Sequence, residues 1–254
     1  MRGRGIECQG TGAVFSCERR GVSHLQGVSF RVAGDRALAV SLGEEVSEDT
    51  SRRVQSLYRA IQREGIPGLL EAIPTYCQIC LYYDPLITGP RQLQARLEAL
   101  ASGLGPATEE AGLVEVPICF DGECALDLGA LAKLHGIPRE EIIDIFLARE
   151  YLVFMLGFLP GQPYLGVLDE RLETPRLPTP RSMVAARAVG IAGRQVTILS
   201  YDTPSGWHYL GRTPLDLFDV GKEPPVPLKG GDRVRFVRID YSAYHAMRRE
   251  VRVT

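Results

Sequence analysis

Lysine is almost missing from this chain of 254 residues: it occurs only at Lys133, Lys222 and Lys229. None of the three sits in a glycine-rich loop and no GxxxxGK[ST] pattern occurs, which excludes a P-loop nucleotide site. A GxSxG elbow is also absent, removing an autonomous α/β-hydrolase mechanism. The formal net charge is only −2, so bulk electrostatics gives no reason to expect nucleic acid or an anionic membrane as partner. No apolar run reaches the roughly 18 residues that cross a bilayer; the greasiest stretch, 142–159, is broken by Asp144, Arg149 and Glu150. The basic N-terminus, with Arg2 and Arg4, lacks the apolar segment of a secretory signal. These absences predict a cytoplasmic chain that engages neither nucleic acid nor membrane.

Cysteine is present six times but without metal spacing. Cys77 and Cys80 form a CxxC inside "TYCQICLYY", which reads as a strand, and strand positions i and i+3 face opposite sides. Cys119 and Cys124 flank the turn "FDGE" with no second zinc-spaced pair. The expectation is structural thiols and no metal. Hydrophobic residues make up 45% and charged residues 24%, ordinary globular usage. The length affords two domains or one large one, with core enough to fold without disulfides.

Along the chain, residues 1–26 have no hydrophobic period and read as a poorly ordered tail. "VSFRVA" and "RALAVSL" are alternating runs joined by Gly34-Asp35, a hairpin signal. In the next segment Ser47 reads as a helix N-cap, Val54, Leu57, Tyr58 and Ile61 share one face, and Gly65 is the stop. Strands at 69–74 and 76–83 and a helix over 89–101 complete a small α/β sandwich over 27–104, with both helices on one face. The Gly/Pro-containing stretch 105–112 is a linker. Residues 113–254 open with a strand at 113–120 and two helical stretches. The second is expected to run over 139–156, with Pro138 at its start and Gly157 at its end; its apolar residues, through Phe154, Met155 and Leu156, exceed one stripe and suggest a second packing face. After Gly166, short apolar runs between Gly/Pro/Asp turns predict a β-sheet or barrel, followed by a short helix in "DYSAYHAMRRE". The fold class is α+β.

Several motifs occur in one order: "VEVPICFDGECALDL", "LGFLPGQPYLGVLDERLETPRLPTPR", "VGIAG", "TPSGWHYLGRTPLDLFD" and "GDRVRF". With "GDRALAVSLG" and "EAIPTYCQICLYYDP" upstream, the chain resembles the KipI / allophanate hydrolase subunit 1 family, which includes the B subunit of the prokaryotic 5-oxoprolinase. The resemblance spans roughly residues 28–240. It implies a ferredoxin-like N-terminal domain and a cyclophilin-like β-barrel, together similar to the carboxyltransferase region of urea carboxylase. It also implies a partner, a homologue of allophanate hydrolase subunit 2 and of the 5-oxoprolinase C subunit. With a third component, the A subunit, such a pair opens 5-oxoproline to glutamate at the expense of ATP; one branch of the family instead inhibits a sporulation histidine kinase. This chain departs from the family pattern at Phe146, usually histidine, at Gln162, usually aromatic, and at glycines replaced in "AARAVGIAG", "QVT" and "PSGW".

The polar constellation that best suits such chemistry is Gln162, Tyr164, Arg176, Arg181, Gln195, Trp207 and Arg212, with His208 beside it. Arginines clamp a carboxylate bidentately, Gln195 offers an amide hydrogen bond, and Trp207 offers an apolar wall. Each has a plainer reading: Arg176 and Arg181 pairing with surface acids, Trp207 packing, Tyr164 anchoring a corner. Trp207 and His208, if both on a strand, face opposite sides. Asp127 and Glu123 are weaker carboxylate candidates. Asp169 and Glu170 read as caps, His135 and His245 as surface residues, and His24 as part of the tail. No catalytic residue is assigned. No cofactor is assigned to this chain; ATP use comes through a geometry other than a P-loop or through a partner in the assembled complex, and a homo-oligomer is compatible with the sequence. The two functions the resemblance implies are a subunit of an ATP-dependent amide or lactam hydrolase and an inhibitor of a sensor histidine kinase.

Overall fold

The computed structural model describes residues 28–103 and 112–251. The expected tail, 1–26, and residues 105–111 of the expected linker lie outside the described residues. The chain divides into two units, Met1–Glu109 and Glu110–Thr254.

The first unit contains β1 (Ser29–Val32), β2 (Ala37–Ser41), α1 (Glu48–Glu64), β3 (Leu69–Pro74), β4 (Gln78–Tyr83) and α2 (Pro90–Ser102). The sheet order is β1-β2-β4-β3 and every neighbouring pair is antiparallel. Gly34, at φ 75, turns β1 into β2. Ser47 caps α1 by accepting from Thr50 N at 3.1 Å, and Gly65 ends the helix in the left-handed region at φ 61. Val54, Leu57 and Ile61 of α1 and Leu93 and Leu97 of α2 bury one core with Leu38, Val40, Ile79 and Leu81. Both helices therefore cover the same sheet face, carried by alternate strand residues.

The second unit runs β5 (Leu113–Cys119), α3 (Leu128–His135), α4 (Arg139–Leu147), β6 (Glu150–Leu156), β7 (Pro163–Gly166), β8 (Arg181–Val184), β9 (Ala188–Ala192), β10 (Gln195–Ile198), β11 (Thr203–Ser205), β12 (His208–Arg212), β13 (Arg233–Ile239) and α5 (Tyr241–Val251). Seven of these strands close a barrel in the order β10-β7-β6-β13-β5-β12-β9, while β8 and β11 form a separate two-stranded sheet. The β5–β13 pair is parallel and the other barrel pairs are antiparallel. Alternation sorts the side chains: Val153, Leu165, Val189, Ile191, Val196, Leu210 and Val234 fill the interior together with residues of α3 and α4. Ala188, Ala192, Trp207 and Tyr209, with Tyr164, form a second cluster on the outer surface.

The stretch 139–156 is not one helix. It is α4, ending at Leu147, followed by β6, a barrel strand whose residues 151–154 are all buried. A strand covered on both faces carries a continuous apolar run, and without alternation it reads like a buried helix. The surplus apolar face is thus the strand itself, hydrogen-bonded between β7 and β13. Gly157 leaves a strand, and the Pro160-Gly161 corner belongs to the β6–β7 connection, where Gly157 N donates to Gln162 O at 3.0 Å. Phe146, at the end of α4, packs its ring 4.9 Å from Phe236 and 5.2 Å from Tyr151 in the interior.

Gly161 holds that corner against the chain beyond β12. It sits at φ 71, and a Cβ there would collide with the backbone carbonyl oxygen of Leu217. Left-handed backbone costs a non-glycine residue roughly 1–2 kcal/mol and overpacking roughly 1–3 kcal/mol more. Gly161→Ala is therefore expected to destabilise the fold by about 3 kcal/mol, read as a lowered urea midpoint at unchanged m-value.

Candidate functional site

The outer barrel surface around β7, β10 and β12 gathers the polar and aromatic residues of interest. Tyr164 of β7 pairs in register with Thr197 of β10. Gln162, just before β7, is 3% exposed. Its Nε2 donates to Thr197 Oγ1 at 3.3 Å and to Tyr164 Oη at 3.4 Å. Thr197 Oγ1 spends its own proton on Pro163 O at 2.8 Å, so it accepts from Gln162 and fixes which way the amide points. That leaves Gln162 Oε1 buried and without a partner.

Next to this amide, Tyr164 and Trp207 meet edge to face with centroids 6.0 Å apart. The exposed guanidinium of Arg176 lies 5.7 Å from the Trp207 ring centroid, cation over π face. Burial pushes the Tyr164 hydroxyl above its ordinary value, against opposing pulls from Arg176 and the Gln162 hydrogen bond. Tyr164 therefore stays protonated at neutral pH.

Beneath Trp207 runs a network centred on Asp127, a residue 6% exposed that stands immediately before α3. One carboxylate oxygen accepts from Arg181 Nη2; the other accepts from Tyr209 N at 2.8 Å. Asp127 N in turn donates to Tyr209 O at 2.9 Å. Arg181 Nη1 donates to Trp207 O at 3.1 Å. The Tyr209 hydroxyl donates to Ser205 Oγ at 2.6 Å, and burial pushes its pKa up to about 12. Gly190, across from Tyr209, must be a glycine, because a Cβ there would lie 2.7 Å from Tyr209 Cε1.

Gln162, Tyr164, Trp207 and Arg176 are thus contiguous, and Arg181 joins them through the tryptophan's carbonyl. Gln195 stands opposite Ala192 and Arg212 opposite Ala188, at the two ends of β9 and on the same outer face. Arg212 Nη2 donates to Ala186 O at 3.0 Å. Glu123 accepts from the Tyr241 hydroxyl at 3.3 Å, away from this set. Asp169 caps the 3-10 turn Glu170–Leu172 and is held well below the usual carboxylate range, chiefly by hydrogen bonds from Arg171. Asp127, Thr197 and the Tyr209–Ser205 pair carry more of the arrangement than their sequence context suggests. The one legible signal was an aspartate immediately before the apolar run "LGALAKL".

Two histidines hold the segment leading to Arg176. His208 Nε2 donates to Pro175 O at 3.1 Å. His135 Nε2 meets Thr174 Oγ1 at 2.8 Å; that hydroxyl donates to Leu172 O at 2.8 Å, so the imidazole is the donor. His135 is a half-buried fastening rather than the surface residue expected. Burial, then the nearby His208, holds its pKa below the ordinary 6.5. Among the described residues no group of three or more His, Cys, Asp or Glu side chains is placed to hold a metal, and no helix is long and apolar enough to cross a membrane.

Known proteins fit this architecture. Residues 28–228 match the model of the carboxyltransferase domain, subdomain C and D. The chain is 36% identical over 231 residues to the 5-oxoprolinase B subunit of Bacillus subtilis, covering 85% of this chain and 95% of that protein. The crystal structure of TTHA0988 superposes with a TM-score of 0.72 at 38% identity over 80% of this chain. This chain spans only 40% of that one. At 22% identity the Kluyveromyces lactis urea amidolyase shares the fold, with a TM-score of 0.71 over 89% of this chain and 16% of that one.

Two outcomes follow from the geometry. Asp127→Asn leaves Arg181 without its anion in a largely buried setting, a class of loss worth roughly 3–5 kcal/mol; with Arg181 partly exposed, about 3 kcal/mol is expected in urea denaturation. For His135 the folded state favours the neutral ring, so the unfolded chain binds the proton more readily. Its contribution is fully present above about pH 7 and is lost as pH falls through 6.5 toward the depressed value. His135→Gln should flatten the pH dependence of the melting temperature between about pH 7 and 5.

Proposed function

This chain belongs to the carboxyltransferase domain family, subdomain C and D, and from that premise we propose that it is a non-autonomous subunit of an ATP-dependent hydrolase acting on a small lactam or amide carboxylate. The Bacillus subtilis relative, a 5-oxoprolinase B subunit, makes 5-oxoproline the first candidate substrate. The partner in this reading is a homologue of allophanate hydrolase subunit 2 and the 5-oxoprolinase C subunit. A third component of the A type joins the pair, and the complex acts in the cytoplasm. The antiparallel four-stranded sheet with two helices on one face supports a ferredoxin-like N-terminal domain, and the closed barrel supports a cyclophilin-like one.

The observation that carries the proposal is the orphaned Gln162 Oε1. A buried acceptor without a donor costs roughly 1–3 kcal/mol, a cost recovered when a ligand N–H arrives. A lactam N–H supplies that donor. Trp207 and Tyr164 wall the ring, and Arg176 meets the carboxylate at the rim. Tyr164, held protonated, donates rather than abstracts a proton. Phe146 lies in the aromatic core and offers no acid–base group. These residues bind and orient but do not break the amide bond, which is the behaviour of a polypeptide whose chemistry is completed elsewhere. ATP, when bound in the assembled complex, supplies the activation of the amide. The lysines of this chain are all exposed and outside glycine-rich loops, so that activation is assigned to the partners.

The test is reconstitution with the neighbouring subunits and an assay for ATP-dependent glutamate formation from 5-oxoproline. Activity is expected, and Gln162→Leu should lower kcat/KM by about tenfold or more, the equivalent of one lost hydrogen bond of roughly 1.4 kcal/mol. An assembled complex that forms no glutamate, beside an active control complex, overturns the proposal.

A further inference from the structure

A second polar cluster lies at the other end of β9 and has no part in the reading above. Arg248 of α5 donates from Nη1 to Pro214 O and to both carboxylate oxygens of Asp216, each at 3.0 Å. Arg187, just before β9, donates from Nη1 to the same Asp216 Oδ1 at 3.0 Å. Two guanidinium groups therefore share one carboxylate. A third, Arg212, is bonded to Ala186 O, the carbonyl immediately before Arg187. Another acid nearby, Asp202 of the β10–β11 connection, uses Oδ1 on Ala186 N at 2.7 Å and, among the described residues, forms no ion pair with these arginines. Among the described residues, three cations are thus answered by one paired anion.

The excess is held, not floating. The side chains of Arg187 and Arg248 are only 21% and 13% exposed. Arg187 Nε and Arg212 Nε are buried and have no acceptor. Arg187 also sits at φ 67, a left-handed conformation that costs a residue with a side chain roughly 1–2 kcal/mol. Its backbone is pinned there from both sides: its N donates to Leu199 O at 2.6 Å, and its O accepts from Thr213 N at 3.0 Å. Strain, unanswered charge and unpaired donors coincide at one place, and an oxyanion with several acceptor oxygens resolves the last two together.

We propose that Arg187, Arg212 and Arg248 form a binding site for a phosphate group. Two uncompensated positive charges match a dianion better than a monocarboxylate, and the planar fork of a guanidinium matches a tetrahedral oxyanion bidentately. Asp216 occupies the donors of Arg187 and Arg248 while the site is empty and competes for them with an incoming oxyanion. The site stands independently of the lactam reading: it uses neither Gln162 nor the aromatic wall.

The experiment is calorimetric titration of the full chain with inorganic phosphate and, in parallel, with ADP, using adenosine and acetate as controls, at low ionic strength. Saturable phosphate binding is expected, weakened about tenfold or more in Arg187→Gln and Arg248→Gln. Asp216→Asn supplies the opposite sign: removing the competing carboxylate should tighten phosphate binding several-fold, which a misfolded protein does not do. ADP binding more tightly than phosphate, with adenosine silent, identifies the source as a nucleotide; equal affinities identify free phosphate, and either result supports the site. The proposal is overturned by an absence of saturable phosphate binding, by equal affinity in the wild type and both arginine variants, or by acetate binding as tightly as phosphate.

Discussion

The ion pair between Asp127 and Arg181 fastens the outer face of the barrel. Its carboxylate receives a backbone amide of β12 on one oxygen and the guanidinium at the start of β8 on the other. Through Arg181 it reaches the Trp207 carbonyl, and through its own backbone it begins α3. A charge this buried is tolerated only when its lone pairs are answered. Here the answering groups belong to two other elements, β12 and β8, while the aspartate itself starts α3, so the carboxylate works as a joint. The aromatic wall next to Gln162 keeps its shape because the joint holds Trp207 by its main chain and leaves the indole free to face Tyr164 and Arg176.

The barrel uses its two surfaces differently. Inside, branched aliphatic residues pack with the Phe146–Tyr151–Phe236 group, whose tyrosine hydroxyl donates to Phe146 O at 2.7 Å. Outside, β9 presents Ala188, Gly190 and Ala192, and the aromatic side chains of neighbouring strands lie over these small residues. A flat patch on a barrel wall is thereby roofed by rings rather than by a long loop. The polar groups on that wall are placed by strand register, which is more exact than placement by loops.

The first unit was legible because its signals are local. Ser47, Gly65 and the Val54–Leu57–Ile61 spacing specify a helix without reference to anything distant. The second unit shows where such reading stops. Residues 151–156 are apolar on both sides because the barrel interior lies on one and covering structure on the other, and the period that separates strand from helix disappears. Tyr164, Trp207 and Gln162 were named from their residue types and motifs. What sets them in place was not visible: Arg181 meets an aspartate 54 positions earlier, and Tyr209 meets it across 82. Linear spacing carries no record of which acid a given arginine finds once a sheet has closed. The same holds for Arg187 and Arg248, brought onto one carboxylate from β9's approach and from the last helix.

The only parallel pairing in the barrel joins its first strand to its last. β5 and β13 lie side by side from Leu113 with Arg233 to Cys119 with Ile239, so closure waits on residues more than a hundred positions apart. The entropy of bringing such distant segments together is spent before the interior contacts that reward it exist. A nascent chain that has not yet released its last strand holds an open, curved sheet with two raw edges, and its interior is still wet. The wall that carries the polar groups does not wait with it: β7, β10, β9 and β12 pair with one another without β13, so what the last strand completes is the sealing of the interior.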